Sequence, residues 1–331
     1  MTQIPYETPP LAPIGNRSGM LMVVGILLIV MGAIAGCVGL LAPFALLVPQ
    51  PSGAAGPRAR DVVMGAVMYA LVAAIFIALG VGSIRKRRWV RPLVLVLGWI
   101  WLCAGVGGLV FWLFALPDMG TMMSARRPAG TPPMPAGFVT ALSAGMTVFM
   151  AILYLGIPGT LILCFKGQEV RTTLEFYDQE ARWTDRCPIV VLGLSAILAL
   201  GAAWMLMMLP QGIFPAFGGL MTGTAARIAL LVMATLFGAV AWQVYKLRPA
   251  GWWLAMVLLI AAPLSAAITL TRTNLIDLYR AAGMSEQQLE MIRNMRMLDS
   301  AFFAIWLAIT GVVTIAYAVW VRRYFPRASG D

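Results

Sequence analysis

The chain has 331 residues, of which 61% are apolar and only 11% are charged. A soluble domain carries about 25% charged residues, so this composition excludes an ordinary soluble protein and indicates a chain embedded in a lipid bilayer. The net charge of +11 would suggest a nucleic-acid partner in a soluble protein. Here the basic residues cluster in short loops between apolar runs, where they orient membrane spans. We therefore predict no nucleic-acid binding.

The N-terminal residues 1–18 contain proline and are nearly uncharged, with one arginine before the first long apolar run. A secretory signal would begin with basic residues and would have a short apolar core. We therefore predict a disordered cytoplasmic tail over residues 1–18.

Long charge-free runs predict the membrane spans, because an unpaired charge at the bilayer centre costs about 2.5–3.5 kcal/mol. A span needs about 20 predominantly apolar residues, and eight runs of the chain meet this requirement. The predicted helices lie near residues 19–47, 62–84, 92–116, 138–165, 188–209, 225–246, 250–271 and 301–322. The predicted fold class is an all-α integral membrane protein with eight transmembrane helices.

Basic residues predict which loops are cytoplasmic, since cytoplasmic loops carry an excess of lysine and arginine. With the N-terminus inside, the cytoplasmic segments hold 15 of the 24 basic residues, and the loop Arg85–Arg91 alone holds five of them. We therefore predict a multi-pass protein of the cell inner (plasma) membrane with both termini cytoplasmic. The membrane lipids, through anionic headgroups at the inner face, are its predicted partners.

The two halves of the chain resemble each other in the positions of a few residues. The matched positions are Arg91 with Arg248 and Lys166 with Arg323, both at an offset of 157, and Pro43 with Pro210, at an offset of 167. These matches predict a 4+4 internal repeat, with a first four-helix unit over 19–165 and a second over 188–325. Four spans is an even number, so the halves would be parallel, related by an axis along the membrane normal. The alternative is a similarity of composition alone.

A highly charged linker, residues 166–187, joins the two predicted halves and holds five acids and four basic residues. Its pattern predicts an amphipathic helix followed by a cap for the fifth span. The candidate docking residues are Arg182, Trp183, Asp185 and Arg186. Two interpretations remain open: a cap that faces anionic lipid, or a docking site for a soluble protein partner or a contact with the basic loop Arg85–Arg91.

The predicted outer segments differ in character. Residues 48–61, 117–137 and 210–225 are rich in proline, glycine and methionine, and we predict that they are irregular. The segment near 285–299 instead predicts an amphipathic surface helix with a capping box formed by Ser285 and Gln288. Such a helix lies in the outer headgroup region or on its own helical bundle, and a partner-binding groove is the alternative.

Three prolines mark candidate broken-helix segments: Pro43, Pro210 and Pro215. Pro43 and Pro210 each end the first span of a predicted half and are followed by a charge-free stretch with more proline and glycine. Interruptions at corresponding positions of two halves often mark a transporter binding site. The hypothesis is that 211–224 dips back into the bundle opposite 44–57, and ordinary outer loops are the alternative.

Several absences constrain the chemistry. The chain contains no histidine, which excludes HExxH zinc sites, Ser-His and Cys-His nucleophile pairs and histidine haem ligation. There is no Walker-type phosphate loop, and the predicted spans carry no acid or base in their central turns, which proton-coupled pumps require. We therefore predict that the protein is not an enzyme.

The sulfur-containing residues do not indicate a metal site. The four cysteines share no CxxC spacing and are predicted to be small apolar packing residues; they are Cys37, Cys103, Cys164 and Cys187. Methionine clusters can bind Cu(I), but methionine also fills helix contacts. We predict no metal and no cofactor.

Small residues four apart predict close helix contacts within one compact bundle. The pairs are Gly32 with Gly36, Ala104 with Gly108, Ser195 with Ala199 and Ala262 with Ala266. The predicted function is a non-enzymatic membrane scaffold or accessory subunit. The alternative is a facilitator or transporter of an apolar or neutral small solute.

Overall fold

The computed structural model describes residues 16–47, 58–125, 136–273, 275–281, 283–284, 286, 289–290 and 300–326. Most of these residues are α-helical. The helices are α1 (Ser18–Leu41), α2 (Ala59–Ile84), α3 (Val90–Ala125), α4 (Ala136–Ala151), α5 (Ile157–Lys166), α6 (Gln168–Tyr177), α7 (Ile189–Met208), α8 (Gly223–Tyr245), α9 (Pro249–Arg272), α10 (Leu275–Ala281) and α11 (Ser300–Val321).

Shorter elements connect or extend these helices. Short 3-10 helices cover Ala42–Leu46, Trp183–Arg186 and Arg322–Tyr324, and a π-helical turn, Ile152–Gly156, joins α4 to α5. A two-stranded antiparallel hairpin consists of β1 (Ile213–Ala216) and β2 (Gly219–Thr222).

Within the described residues, eight helical segments are long and apolar enough to cross a membrane. They are Ser18–Phe44, Ala59–Ile84, Val90–Phe114, Gly137–Lys166, Ile189–Met208, Gly223–Tyr245, Pro249–Arg272 and Ile305–Tyr324. The prediction of eight spans is confirmed by helix length and composition, and the boundaries agree to within a few residues. The agreement follows from the charges, because the charge-free part of α2 lies between Asp61 and Arg85.

The prediction that the outer segments are irregular is wrong in two places. Residues 213–222 form the β-hairpin, so the all-α class is corrected by one small sheet. Each strand has only four residues, too few to show the alternation that identifies strands in a sequence, which explains the difference. In addition, α3 continues through residues 117–125. This stretch is rich in methionine, a good helix former.

Some predictions fall largely outside the described residues. They are the tail 1–18, most of the outer segment 48–61, and most of the amphipathic helix near 285–299, including both residues of its capping box.

Close contacts group the chain into two compact units. The first contains Asp61–Gly98 and Gly159–Arg186 together with the described part of Met1–Val48. The second contains Trp99–Pro158 together with the described parts of Pro49–Arg60 and Cys187–Asp331. These units do not coincide with the predicted halves 19–165 and 188–325, and the 4+4 repeat stays a prediction.

In the first unit, α1 and α2 pack antiparallel through small residues. A Cβ atom built on Gly25 would lie 2.8 Å from the carbonyl oxygen of Gly80, and one built on Gly32 would lie 3.0 Å from that of Ala73. The Ser83 hydroxyl donates a hydrogen bond to a carbonyl oxygen of α1 at 2.9 Å. The predicted role of Gly32 in a close helix contact is therefore confirmed, because only a glycine lets the backbones approach this closely.

In the second unit, α7, α8, α9 and α11 pack around an apolar core. The buried side chains of this core include Val191, Leu194, Leu198, Leu230, Val240, Val244 and Ala255. Polar groups at the helix contacts bond to the backbone: the Ser195 hydroxyl donates to the Ala241 carbonyl at 2.8 Å, and the Trp252 indole donates to the Ala318 carbonyl at 2.8 Å. These bonds join neighbouring helices without introducing charge into the core.

The π-helical turn lies in the middle of the fourth span, and Ile157 separates it from Pro158. Proline has no backbone N–H, so the Tyr154 carbonyl lacks its normal helical donor at this point. The same carbonyl lies beside α3, where a Cβ atom on Gly105 would come within 2.5 Å of its oxygen. The wide turn and the glycine therefore form one close contact between α3 and the fourth span.

Candidate functional site

The linker folds onto the loop Arg85–Arg91 within the first unit, and Arg88 is the centre of this contact. The Arg88 guanidinium pairs with Asp185 at 3.1 Å and with Glu175 at 3.5 Å. Its backbone N–H donates to the Asp178 carboxylate at 3.1 Å. The interpretation that the linker contacts the basic loop is therefore confirmed, because three linker carboxylates gather on one arginine.

Asp178 is the most enclosed charged side chain of this contact, with 4% of its side chain exposed. Its carboxylate accepts hydrogen bonds from the Arg182 side chain at 3.0 Å and from the Arg88 backbone. Burial alone would raise the pKa of Asp178, but these two donors and the nearby positive charge bring the pKa below its usual value. Asp178 is therefore ionised at neutral pH and holds the end of α6 against the loop.

Further contacts hold the linker along its length. The Lys86 ammonium lies 3.7 Å from the ring centroid of Tyr177, a cation–π contact. The Arg91 guanidinium donates to the Phe165 carbonyl at 3.1 Å, at the C-terminal end of α5, where helix carbonyls lack internal partners. At the start of α6, Glu169 pairs with Arg17. The linker is thus fixed at both ends and in its middle.

The ion pairs leave an excess of positive charge on this surface. All five linker acids take part in ion pairs with Arg17, Arg88, Arg171 or Arg182. Six other cations of the linker and the loop have no ion pair with a described residue: Arg85, Lys86, Arg87, Arg91, Lys166 and Arg186. The linker, the loop and Arg17 together carry ten cations and five acids, an excess of five positive charges.

The structure places the four candidate docking residues in one short segment. Arg182 and Asp185 face inward, since Arg182 binds Asp178 and Asp185 binds Arg88. Trp183 and Arg186 lie outward, and 49% of the Trp183 side chain is exposed. The segment therefore has an inner pair that fastens it and an outer pair that is accessible.

Cys187 follows this segment and is buried. Burial raises the pKa of its thiol to about 11, so the thiol is protonated and unreactive at neutral pH. This environment suits the predicted packing role.

A second candidate site is the hairpin of the second unit. Ala216 pairs with Gly219, so the connecting turn consists of two residues, Phe217 and Gly218. Both have positive φ, 38° for Phe217 and 96° for Gly218, as in a type I′ turn. Glycine suits this conformation, whereas a bulky residue such as phenylalanine is strained there. A strained residue at an exposed turn is a candidate functional position.

The tip of the hairpin is bonded to α9. The N–H of Phe217 donates to the Ser265 hydroxyl oxygen at 3.0 Å, and the N–H of Gly218 donates to that of Thr269 at 3.1 Å. Ser265 and Thr269 are both buried. Their own hydroxyl protons go to the carbonyls of Pro215 at 3.4 Å and of Ser265 at 2.8 Å. The Ser265 hydroxyl therefore depends on the hairpin for both of its hydrogen bonds, whereas the Thr269 hydroxyl keeps its bond to the Ser265 carbonyl when the tip leaves.

The strain at Phe217 and the hydrogen bonds of the tip contribute to the free energy of the hairpin with opposite signs. A left-handed conformation costs a residue other than glycine about 1–2 kcal/mol, a cost that falls on Phe217. Each of the two hydrogen bonds contributes about 0.5–1.5 kcal/mol net. The Phe217 side chain adds little, because 63% of it is exposed. The two amide bonds, together with the bond from the Ser265 hydroxyl to the Pro215 carbonyl, therefore offset the strain at Phe217.

The polar residues of α9 form a stripe that begins at the end of the span. Arg272 is the last residue of α9, and Ser265 lies about 10 Å deeper along the helix axis. Arg272 lies against the tip, because a Cβ atom on Gly218 would come within 2.6 Å of its side chain. Among the described residues, Arg272 has no ion pair. The stripe therefore consists of two buried hydroxyl groups and one arginine that has no ion pair with a described residue.

The three candidate prolines occupy different elements. Pro43 is in the first turn of the 3-10 helix Ala42–Leu46, which continues α1. Pro210 lies in the turn after α7, and its carbonyl accepts a hydrogen bond from Arg60 at 3.3 Å. Pro215 pairs with Leu220 in the hairpin. Most of the segment 44–57, proposed to lie opposite the hairpin, falls outside the described residues.

Sequence reasoning missed Ser265, Thr269 and Phe217. The available signal was the serine and threonine at four-residue spacing in an otherwise apolar run, which places both hydroxyls on one helix face.

Comparisons of the chain with protein-family models, with curated proteins and with solved structures found no match.

Proposed function

We propose that this multi-pass membrane protein is a non-enzymatic scaffold or accessory subunit that binds an acidic protein partner at its linker. The observation that carries the proposal is the pairing of all five linker acids, which makes the linker a folded platform and leaves its free charge positive. An acidic partner is attracted to such a surface. Trp183 supplies an aromatic anchor of the kind that dominates protein interfaces.

The proposal places the linker and both termini in the cytoplasm, with the unpaired cations near anionic headgroups of the inner membrane. The number of cations in the loop Arg85–Arg91 supports this orientation.

Reporter fusions test the orientation. Fusions after Arg88, Phe176 and Asp331 should give cytoplasmic reporter activity, and fusions after residues 54, 128 and 217 should give extracytoplasmic activity, because basic residues are retained inside. The fusion after Phe176 is decisive, since it lies in the linker itself. Activity of an extracytoplasmic reporter at that position would contradict the orientation.

Photo-crosslinking in living cells tests the partner. A benzoylphenylalanine in place of Trp183 is expected to give a discrete protein adduct, because this side chain is exposed beside Arg186. The same probe at Gln179, also exposed on the linker, serves as the matched control and is expected to give at least fivefold less adduct. The yield of adduct is read by immunoblot and the partner by mass spectrometry.

The same crosslinking assay tests whether the positive charge of Arg186 attracts the partner. Arg186→Glu should lower the adduct yield at position 183 at least threefold, since a charge at the edge of an interface mainly changes the association rate. Adducts with lipid alone, or equal adducts from positions 179 and 183, would contradict protein docking at this segment.

The facilitator of an apolar or neutral solute is the second candidate function. It is favoured by the hairpin tip, which bonds to two buried hydroxyl groups within a membrane-spanning helix. Irregular backbone at membrane depth is tolerated where protein covers it or water reaches it.

A further inference from the structure

The hairpin covers the polar stripe of α9, which consists of Ser265, Thr269 and Arg272. We propose that the hairpin is a movable lid and that the stripe beneath it binds a small anionic solute carrying hydrogen-bond donors. The guanidinium of Arg272 would take the anionic group, and the hydroxyl oxygens that now accept the tip amides would take the donors. This site is separate from the linker and goes beyond the proposed scaffold function, and its positive charge favours an anion over the neutral solute of the second candidate function.

The closed tip shows which chemistry the stripe accepts. In the closed state, two backbone N–H groups occupy the acceptor positions of Ser265 and Thr269 at 3.0 and 3.1 Å. When the tip leaves, these acceptors need new donors, because a buried hydroxyl oxygen without a partner is unfavourable. A solute with N–H or O–H groups reproduces the bonds of the tip. The solute therefore competes with the lid for the same two oxygens.

The positive charge of Arg272 determines the sign of the charge on the solute. Among the described residues, Arg272 has no carboxylate partner. Arg280, in the following helix α10, is different, since it pairs with Asp277 and with Glu286, both at 3.1 Å. A carboxylate or phosphate group matches a guanidinium with free donors. An anion is therefore favoured over a cation at the upper end of the stripe.

The hairpin is built to move as one piece. Its base is closed by a hydrogen bond from the Gly223 N–H to the Gly212 carbonyl at 2.9 Å. These two glycines have φ values of 68° and 61°, and glycine changes backbone conformation readily. A two-stranded hairpin has little stability alone, so its position depends on the bonds of its tip to α9. Rotation about the base therefore frees the stripe without unfolding a transmembrane helix.

Thiol labelling of the purified protein in detergent tests the proposal without assuming an orientation. The four native cysteines are replaced by alanine, and Thr269→Cys places a thiol under the lid. The probes are two methanethiosulfonates of similar size, one carrying a sulfonate and one a trimethylammonium group. We expect measurable modification by both reagents. Each rate is divided by the rate of that reagent with a small free thiol, and the resulting relative rate should be at least fivefold higher for the sulfonate reagent. Arg272→Gln should slow the sulfonate reagent at least threefold and should not slow the trimethylammonium reagent, which the arginine repels.

Two control variants make the result decisive. Arg280→Gln removes a neighbouring arginine that is already paired, so it should leave both rates within twofold. A variant in which Gly-Ser-Gly replaces residues 213–222 gives the rate with no lid. The intact hairpin should give a rate at least tenfold below this limit, because Thr269 is buried when the tip is bound.

Three outcomes would overturn the proposal. One is a thiol at position 269 that reacts in the lidless variant and not in the intact protein, which would make the hairpin a fixed packing element. Another is equal modification by the two reagents, and the third is a charge preference that Arg272→Gln leaves unchanged. If Thr269→Cys does not fold, Ser265→Cys reports on the deeper end of the same stripe with the same expectations.

Discussion

Replacing Asp178 with alanine should increase the rate of tryptic cleavage at Arg182 and Arg186 at least tenfold. The substitution removes the acceptor of three hydrogen bonds, two from the Arg182 guanidinium and one from the Arg88 backbone. Hydrogen bonds to a charged group contribute about 1.5–3 kcal/mol, and each 1.4 kcal/mol is about tenfold in an equilibrium constant. Cleavage follows the fraction of open linker when reclosing is fast. Timed digestion with quantification of the two products measures the change.

Glu180 provides the matched control for this experiment. It pairs with the same Arg182 at 3.1 Å, but 79% of its side chain is exposed. An exposed ion pair contributes little, so Glu180→Ala should change the cleavage rate less than twofold. Equal rates for the two variants would show that the Asp178 contact does not hold the linker closed.

The pH dependence of the linker follows from the same carboxylate. The pKa of Asp178 is below its usual value in the folded protein. Its contribution to linker stability is therefore complete above about pH 4, the pKa of an unperturbed aspartate, and is lost as the pH falls through the lowered pKa. Between pH 5 and 8, the ratio of the cleavage rate of Asp178→Ala to that of the wild type should stay constant.

Replacing Gly105 with alanine should lower the thermal stability of the helical bundle. A Cβ atom at this position would lie 2.5 Å from the Tyr154 carbonyl oxygen and 2.8 Å from the Tyr154 Cβ. The neighbouring atoms belong to the backbone or its first side-chain carbon, so neither can turn away. Overpacking of this kind costs about 1–3 kcal/mol. We expect Tm, measured by circular dichroism in one detergent, to fall by about 2–10 °C.

Gly108 is the internal control in the same helix. A Cβ atom there has nothing within 4 Å. Gly108→Ala should therefore be neutral or stabilise α3 by about 0.5–1 kcal/mol, because alanine loses less conformational freedom in a helix. Identical Tm values for the two alanine variants would contradict the proposed close contact of α3 with the π-helical turn.

The membrane spans could be predicted because charged residues lie at both ends of each long apolar run. The contact of the linker with the loop Arg85–Arg91 could also be anticipated, since acids clustered in one segment and bases in the other. In both cases the sequence contains the physical cause itself, an unfavourable burial of charge or an attraction between opposite charges.

The helix contacts were harder to predict, because spacing does not reveal which face of a helix meets a neighbour. Ala104 and Gly108 were predicted to form a close contact, yet Gly108 has open space beside it. The close approaches are made by Gly105 and by Gly107, which lies against Trp306. Every apolar face of a membrane helix looks alike in composition, so helix rotation depends on the partner.

The hairpin depends on long-range contacts. Its strands have four residues each, too few for alternation to stand out from an apolar loop. Its tip is held by hydroxyl groups about 50 residues later in the chain, which local pattern cannot reveal.

The pairing of Arg88 with the linker has a consequence for the order of events during synthesis. Asp178 follows Arg88 by 90 residues. At an elongation rate of about 5–20 residues per second, the loop leaves the ribosome roughly 5–20 s before its carboxylate partners. It therefore acts at full positive charge while the second and third spans are being inserted. The linker arrives afterwards and neutralises part of that charge, so Arg88 is unpaired while the chain is being made and is paired with linker acids in the finished fold.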